Sequence, residues 1–134
     1  MSASLVALCG YAAWTILLVV VVAGYRALTS SRTGKALNTF APDGSDVDAL
    51  GKRLTRAHLN CVENLPIAGA VILAAAAAGR GDVTDGLAMA LLWARIGQSA
   101  VHIASTALPM VMLRATLFVV QLVILVIWLA KLLG

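Results

Sequence analysis

The chain has 134 residues, of which 61% are hydrophobic and 12% are charged, and its mean hydropathy is +0.95. These values exclude ordinary soluble, fibrous and disordered proteins, which contain a smaller apolar fraction. Because only 5% of the residues are aromatic, the apolar excess consists of Ala, Leu and Val, which suit lipid-facing and tightly packed helices. The composition therefore predicts an integral membrane protein with a single domain over residues 1–134.

The net charge of +4 gives little indication of a nucleic-acid partner, since no basic stripe with interleaved aromatic residues occurs in the chain. On a chain this apolar, the basic residues indicate membrane topology and contacts with lipid headgroups. The two cysteines, Cys9 and Cys61, lie in separate apolar segments. They predict neither a disulfide framework nor a thiolate metal site, and we expect no metal.

Four apolar stretches qualify as membrane spans, because a helix needs roughly 20 residues to cross about 30 Å of hydrocarbon. They cover about residues 5–25, 57–79, 86–108 and 112–130. The first stretch lacks a preceding basic region and is longer than the roughly 7–15 apolar residues of a signal peptide, so we expect it to be retained. The pattern predicts an all-α, four-helix membrane bundle.

The connections between these stretches differ in length. The second, third and fourth stretches are joined by short connections, which predict antiparallel hairpins. The segment of about residues 26–56 is instead a long polar loop, with a turn signal at 41–44 (Ala-Pro-Asp-Gly). Because Ser45 is a suitable N-cap and would place Asp46 and Asp48 in the first helical turn, the second helix is predicted to begin near Asp46.

The basic residues are distributed unequally between the two ends of the predicted bundle. Two lie at the end that carries the termini, Arg80 and Lys131, and seven lie at the other end: Arg26, Arg32, Lys35, Lys52, Arg53, Arg56 and Arg114. By the positive-inside rule, the long loop is cytoplasmic and both termini face outward. We expect a location in a bacterial inner membrane.

Three ionisable residues lie well inside the apolar stretches: Glu63, Arg95 and His102. An acid or an arginine at the centre of a membrane helix costs roughly 2.5–3.5 kcal/mol on insertion scales. We therefore expect all three side chains to face the interior of the bundle, where partners or water are available.

Helical spacing of about 100° per residue places these residues on two polar stripes. The second span carries Arg53, Arg56, Asn60 and Glu63, and the third span carries Arg95, Ser99, His102 and Thr106. In an antiparallel pair, Glu63 and His102 lie at a similar depth, and an extended Arg95 approaches Glu63 directly or through a shared ligand.

Two interpretations of the stripes remain open at this point. They form either a structural network that holds the helices together or a ligand site, since membrane-embedded charges serve both purposes. Arg53, Arg56, Arg95 and Arg114 outnumber the single carboxylate of Glu63. This excess of donors favours an anionic guest that carries carboxylates.

The stripe on the second span lies within a recognisable motif. The run from Arg53 to Pro66, with its Arg-Ala-His-x-Asn-x-x-Glu core, strongly resembles the signature of the MAPEG family (membrane-associated proteins in eicosanoid and glutathione metabolism). The resemblance extends over nearly the whole chain, including the polar loop at 38–44 and the pair Ala94-Arg95 on the third span.

This resemblance implies a homotrimer of four-helix subunits that holds glutathione between neighbouring subunits near the cytoplasmic side. The implied binding residues are Arg56, Asn60, Glu63 and Arg95, and we add Arg53 and His102 from the same stripes. The family's thiol-activating Arg at the start of the fourth span has its nearest match in Arg114. This chain has Leu59, His102 and Ala115 where the prostaglandin-synthesising branch has Arg, Tyr and Ser.

The resemblance implies a glutathione-dependent transferase or peroxidase that acts on hydrophobic electrophiles or lipid hydroperoxides entering from the bilayer. One alternative is a non-catalytic membrane scaffold or lipid-binding protein of the same fold. Another is a small proton-coupled exporter. The exporter is disfavoured, because the first span has no acid and the arginines around Glu63 favour its ionised form.

Overall fold

Four long α-helices make up most of the chain in a computed structural model that describes residues 1–134. The helices are α1 (Ala3–Thr33), α2 (Ala49–Ala77), α3 (Asp82–Ala104) and α4 (Leu108–Leu133), and a short 3-10 helix covers Leu37–Thr39. There is no β-strand. All four helices are long and apolar enough to cross a membrane, so the predicted all-α fold with four helices is confirmed.

Hydrogen bonds at one end of the bundle join the starts of α1 and α3 to the end of α4. The backbone N–H of Ser4 donates to the carboxylate of Asp85 at 2.9 Å. The guanidinium of Arg80, between α2 and α3, donates to the carbonyl oxygen of Lys131 at 2.9 Å. Both chain termini therefore lie at the same end as the α2–α3 connection.

A second set of contacts closes the opposite end. The Tyr25 hydroxyl, late in α1, donates to the Asp48 carboxylate at 2.6 Å, and Asp48 also accepts the N–H of Gly51 as the N-cap of α2. Arg53 Nε donates to the carbonyl oxygen of Ile103 in the last turn of α3, at 2.7 Å. Consecutive helices are therefore antiparallel, and the long loop lies at the same end as the α3–α4 connection.

A buried pair of amides connects α3 to α4. Gln121 Nε2 donates to Gln98 Oε1 at 2.8 Å and also to the carbonyl oxygen of Leu117 one turn earlier. Both glutamine side chains are surrounded by the protein, where an unpaired amide would be costly. The pair therefore fixes the position of α4 along α3. Apolar and small side chains fill the remaining core, among them Tyr11, Cys61, Ile72, Ala88, Leu91 and Trp128.

The loop between α1 and α2 is held by its own polar groups. Asp46 accepts the N–H of Ala41 at 2.9 Å and forms an ion pair with Lys35 at 3.1 Å. Gly44 is buried with a φ of 73°, and a Cβ atom there would lie 2.8 Å from Oγ1 of Thr55. Glycine is therefore required at this turn for both its backbone conformation and its close approach to α2.

The second helix begins later than the sequence indicates. The predicted start near Asp46 is wrong, because α2 begins at Ala49 with Asp48 as its N-cap. Ser45, the predicted N-cap, lies in the loop, and the Asp46 carboxylate accepts the N–H of Ala41 and contacts Lys35 there. Asp48 has the extended backbone that an N-cap requires, and its carboxylate accepts the N–H of Gly51.

Two other helix ends also differ from the predicted stretches. Helix α1 continues to Thr33, because Gly34 is the first residue to take the left-handed conformation that ends a helix. Helix α3 ends at Ala104, where Ser105 is extended, so residues 105–108 of the predicted third stretch do not belong to it. Helix α4 then starts at Leu108 with Pro109 in its first turn, a position that suits proline.

Candidate functional site

A cavity of about 610 Å³ opens between α2, α3 and α4 at the end of the bundle that carries the long loop. Helix α1 contributes no residue to its wall. The lining residues are Ala49, Lys52, Arg53, Arg56, Asn60, Gln98, His102, Thr106, Arg114, Ala115 and Phe118.

Helical spacing explains how these side chains come together. On α2, Lys52, Arg56 and Asn60 succeed one another at intervals of four residues, which places them on one face. On α3, Gln98 and His102 have the same spacing and face α2 across the antiparallel pair. The structure thus brings together the parts of the two predicted polar stripes that lie nearest to the long loop.

A hydrogen bond joins the two stripes at the cavity wall. Asn60 Nδ2 lies 3.3 Å from His102 Nδ1. Because the amide nitrogen of asparagine only donates, His102 Nδ1 is the acceptor and the proton of the neutral ring is on Nε2. The His102 side chain is only 6% exposed, and its Nε2 has no partner within the protein. The ring therefore presents a free N–H donor to the cavity.

The charge of this cavity is entirely positive. Lys52, Arg53, Arg56 and Arg114 line it, and no Asp or Glu does. Arg53 is held in place by its hydrogen bond to the end of α3. Converging cations without a counter-ion favour an anionic ligand with carboxylate or thiolate groups.

A smaller cavity of about 260 Å³ adjoins the first and has a different charge. Its wall shares Arg56, Asn60 and His102 with the larger cavity and adds the acids Asp43 and Glu63, together with Leu59. The two cavities thus form a continuous surface that is cationic on one side of His102 and carries two carboxylates on the other. We call this surface the divided site.

The structure places Arg95 and Glu63 apart. Arg95 is 1% exposed, its guanidinium carbon lies 5.5 Å from the centre of the Tyr11 ring, and its Nε and Nη1 have no hydrogen-bond partner. It lines neither cavity of the divided site, whereas Glu63 is exposed and forms no ion pair. Within the subunit, therefore, the expectation that Glu63 faces the bundle interior is wrong, and Arg95 does not approach it directly. An approach through a shared ligand stays a prediction. Arg95 lies on α3 about two turns before His102, farther from the loop end of the bundle, and α1 packs over it there.

Several lining residues were not singled out as site residues from the sequence. Lys52 lies one helical turn before Arg56, and Phe118 lies one turn after Arg114. Helical spacing from Arg56 and Arg114 would therefore have identified both residues. Asp43 is different, because it lies on the loop and only the fold brings it beside α2. No sequence periodicity predicts its position.

Comparison with known proteins gives one finding on identity. The model of the MAPEG family matches residues 4–134. The comparisons with curated proteins and with solved structures give no match. The match supports an integral membrane protein with a role in glutathione-related or eicosanoid metabolism in general. Since it covers essentially the whole chain and agrees with the four apolar helices, the protein belongs to the MAPEG family.

Proposed function

We propose that this protein is a glutathione-dependent membrane transferase or peroxidase that acts on hydrophobic electrophiles or lipid hydroperoxides. The observation that carries the proposal is the divided site: three cations lie on one side of His102, two carboxylates lie on the other, and Arg56 lines both cavities. A purely structural network would pair these charges with each other. The single ion pair in the protein is instead Lys35 with Asp46, in the loop.

The charges of glutathione match this arrangement. The tripeptide carries two carboxylates, one ammonium group and a thiol. We assign its carboxylates to Arg53 and Arg56, because arginine binds carboxylates in a bidentate manner. We assign its ammonium group to Glu63 and a peptide carbonyl to the free N–H of His102. Asn60 holds His102 in the required tautomer.

The remaining arginine of the cavity, Arg114, is assigned to the thiol. A nearby guanidinium lowers the pKa of a thiol from about 8.5 and increases the fraction of nucleophilic thiolate at neutral pH. In a transferase reaction the thiolate sulfur bonds to an electrophilic carbon, and the leaving group departs with its electron pair. Ala115 and Phe118, beside Arg114 on α4, form the apolar part of the wall where a hydrophobic substrate would approach.

We further propose the homotrimer and the topology that the sequence indicates, with the long loop cytoplasmic and both termini outward in a bacterial inner membrane. The exposure of Glu63 supports a neighbouring subunit at this face of α2, because it is flanked by the exposed apolar residues Val62 and Ile67. A carboxylate on such a surface is costly when it faces lipid alone.

Calorimetry of glutathione binding to the purified protein in detergent tests the proposal. We expect Arg56→Met to weaken binding by about tenfold or more, because it removes a charge-assisted contact. The matched control is Arg95→Met, which makes the same change at an arginine outside the divided site and should leave the affinity within about twofold. This proposal gives Arg95 no ligand contact, so weaker binding in that variant would restore the role that the sequence assigns to it.

Failure of the parent protein to bind glutathione at millimolar concentration, or to turn over any hydrophobic electrophile, would refute the enzymatic proposal. Native mass measurement in detergent tests the assembly separately. A monomer or a dimer would contradict the trimer without deciding the ligand.

A further inference from the structure

Asp43 forms the wall of the smaller cavity on the side of the loop. It lies in the turn before α2, and the buried Gly44 next to it packs against Thr55 of that helix. Oδ1 of Asp43 accepts the backbone N–H of Ser45 at 3.0 Å. The turn therefore holds the Asp43 carboxylate beside the face of α2 that carries Glu63.

The charge of Asp43 is available to a ligand. The N–H of Ser45 holds the pKa of the Asp43 carboxyl below its usual range, so the group is ionised at neutral pH. Neither Asp43 nor Glu63 forms an ion pair in the protein, and the only cation on the wall of this cavity is Arg56. Two unpaired carboxylates facing one small cavity favour a cationic group of a ligand.

The buried imidazole of His102 independently points to a ligand in this cavity. It is more than nine-tenths buried, it lines both cavities, and its Nε2 has no partner. The ring N–H of an otherwise buried imidazole that lines a cavity can donate to a ligand there. A ligand whose carbonyl oxygen accepts this N–H would extend from the cationic cavity on one side to the two carboxylates on the other.

We propose that Asp43 is a second binding residue for the ammonium group of the γ-glutamyl end and that it makes the site selective for peptides with a free amino group. This inference rests on the proposed function, because it takes glutathione as the ligand. It adds a loop residue to the residues that the helices supply, and it links the conformation of the loop to the choice of thiol substrate.

The test compares two ligands and two variants by calorimetry. The ligands are glutathione and glutaryl-cysteinylglycine, which has hydrogen in place of the ammonium group and is otherwise identical. Asp43→Asn removes the charge and retains an oxygen to accept the N–H of Ser45. The control Asp46→Asn removes the same charge from the same loop at a residue outside the divided site.

We expect Asp43→Asn to weaken glutathione binding by about three- to tenfold, the range for one exposed charge-assisted contact, and to leave binding of the analogue unchanged. Asp46→Asn should change neither affinity. Asp43→Ser, which also keeps an acceptor for the turn, should reproduce the loss of selectivity. Thermal unfolding of each variant verifies that the loop is still folded.

Equal weakening of both ligands by Asp43→Asn would overturn the inference, because it would indicate a general effect on the loop. Unchanged affinity for glutathione in both Asp43 variants would also overturn it. In either case the parent protein still binds glutathione, so the proposed function stands. Absence of glutathione binding by the parent would refute both proposals together.

Discussion

The guanidinium of Arg95 lies over the ring of Tyr11, with 5.5 Å between its central carbon and the ring centre. Both side chains are almost completely buried, and neither Nε of Arg95 nor the hydroxyl of Tyr11 has a hydrogen-bond partner. A cation in contact with the face of an aromatic ring is stabilised by the ring's quadrupole, and the stabilisation increases when water is absent. This contact, rather than an ion pair, compensates part of the cost of placing Arg95 inside the bundle.

Substitutions of Tyr11 test this contact. Tyr11→Phe retains the ring face and removes a hydroxyl that lacks a partner, so we expect a melting temperature equal to or above that of the parent. Tyr11→Leu removes the ring and should destabilise the protein by about 2 kcal/mol or more. Thermal unfolding in detergent measures both. Equal melting temperatures for the Phe and Leu variants would show that the ring face contributes nothing.

Glu63→Gln should separate stability from binding. Because Glu63 forms no ion pair within the subunit, we expect the free energy of unfolding of the ligand-free protein to change by no more than about 0.5 kcal/mol. Glutathione should bind more weakly, since the ammonium group loses a charged partner. Differential scanning calorimetry and titration calorimetry measure the two effects. A large loss of stability with unchanged binding would indicate a structural role for Glu63.

Arg114→Met should affect turnover more than binding. The carboxylates of glutathione keep their assigned contacts with Arg53 and Arg56, whereas the thiol loses the cation that favours its thiolate form. We expect the ultraviolet absorbance of bound thiolate to appear at higher pH and the turnover of chlorodinitrobenzene to fall. Arg114→Lys keeps a positive charge and should restore part of the effect. An unchanged thiolate titration in Arg114→Met would contradict the assignment.

The first turn of α2 should open only in acid. Hydrogen bonds from the Tyr25 hydroxyl and the Gly51 N–H hold the pKa of the Asp48 carboxyl below its usual range. A pKa lowered by folding contributes stability above the usual value of about 3.9, and that stability is lost as the pH falls through the folded-state pKa. Pepsin cleavage of the loop should therefore begin only below about pH 4.

Tyr25→Phe removes the largest cause of the lowered pKa and should move the onset of cleavage to higher pH. Asp82→Asn, at the other end of the bundle, is the control and should leave the onset unchanged. The same onset in the parent and in Tyr25→Phe would show that the hydroxyl does not stabilise the ionised cap.

A period of 3.6 residues predicts the two stripes that carry Asn60 and His102, and antiparallel packing brings these stripes together. The hydrogen bond between the two residues is seen only in the structure, because the sequence places Glu63, and not Asn60, at the depth of His102. The same period places Arg95 on the stripe of His102, but it does not show which neighbour covers that part of the helix. Helix α1 covers it with Tyr11, and α1 has no polar pattern from which this contact could be predicted.

The loop between α1 and α2 explains the other differences between the predictions from the sequence and the structure. Ser45 and Asp48 are both suitable N-caps for α2, and the choice between them depends on the fold of the loop, where Asp46 contacts Ala41 and Lys35. Asp43 reaches the divided site through a turn that Gly44 permits by its positive φ. Such positions depend on tertiary contacts, whereas helix periodicity gives only the direction of a side chain on its own helix.

The buried amide pair of Gln98 and Gln121 has a consequence for how the protein can change during evolution. The pair fixes the position of α4 along α3, and therefore also the position of Arg114. Arg53 and Arg56 are instead positioned by α2. A substitution at either glutamine would shift the residue assigned to activation relative to the residues assigned to affinity. Relatives with the same affinity for the thiol can thus acquire different rates or substrates through changes at the buried contact between α3 and α4.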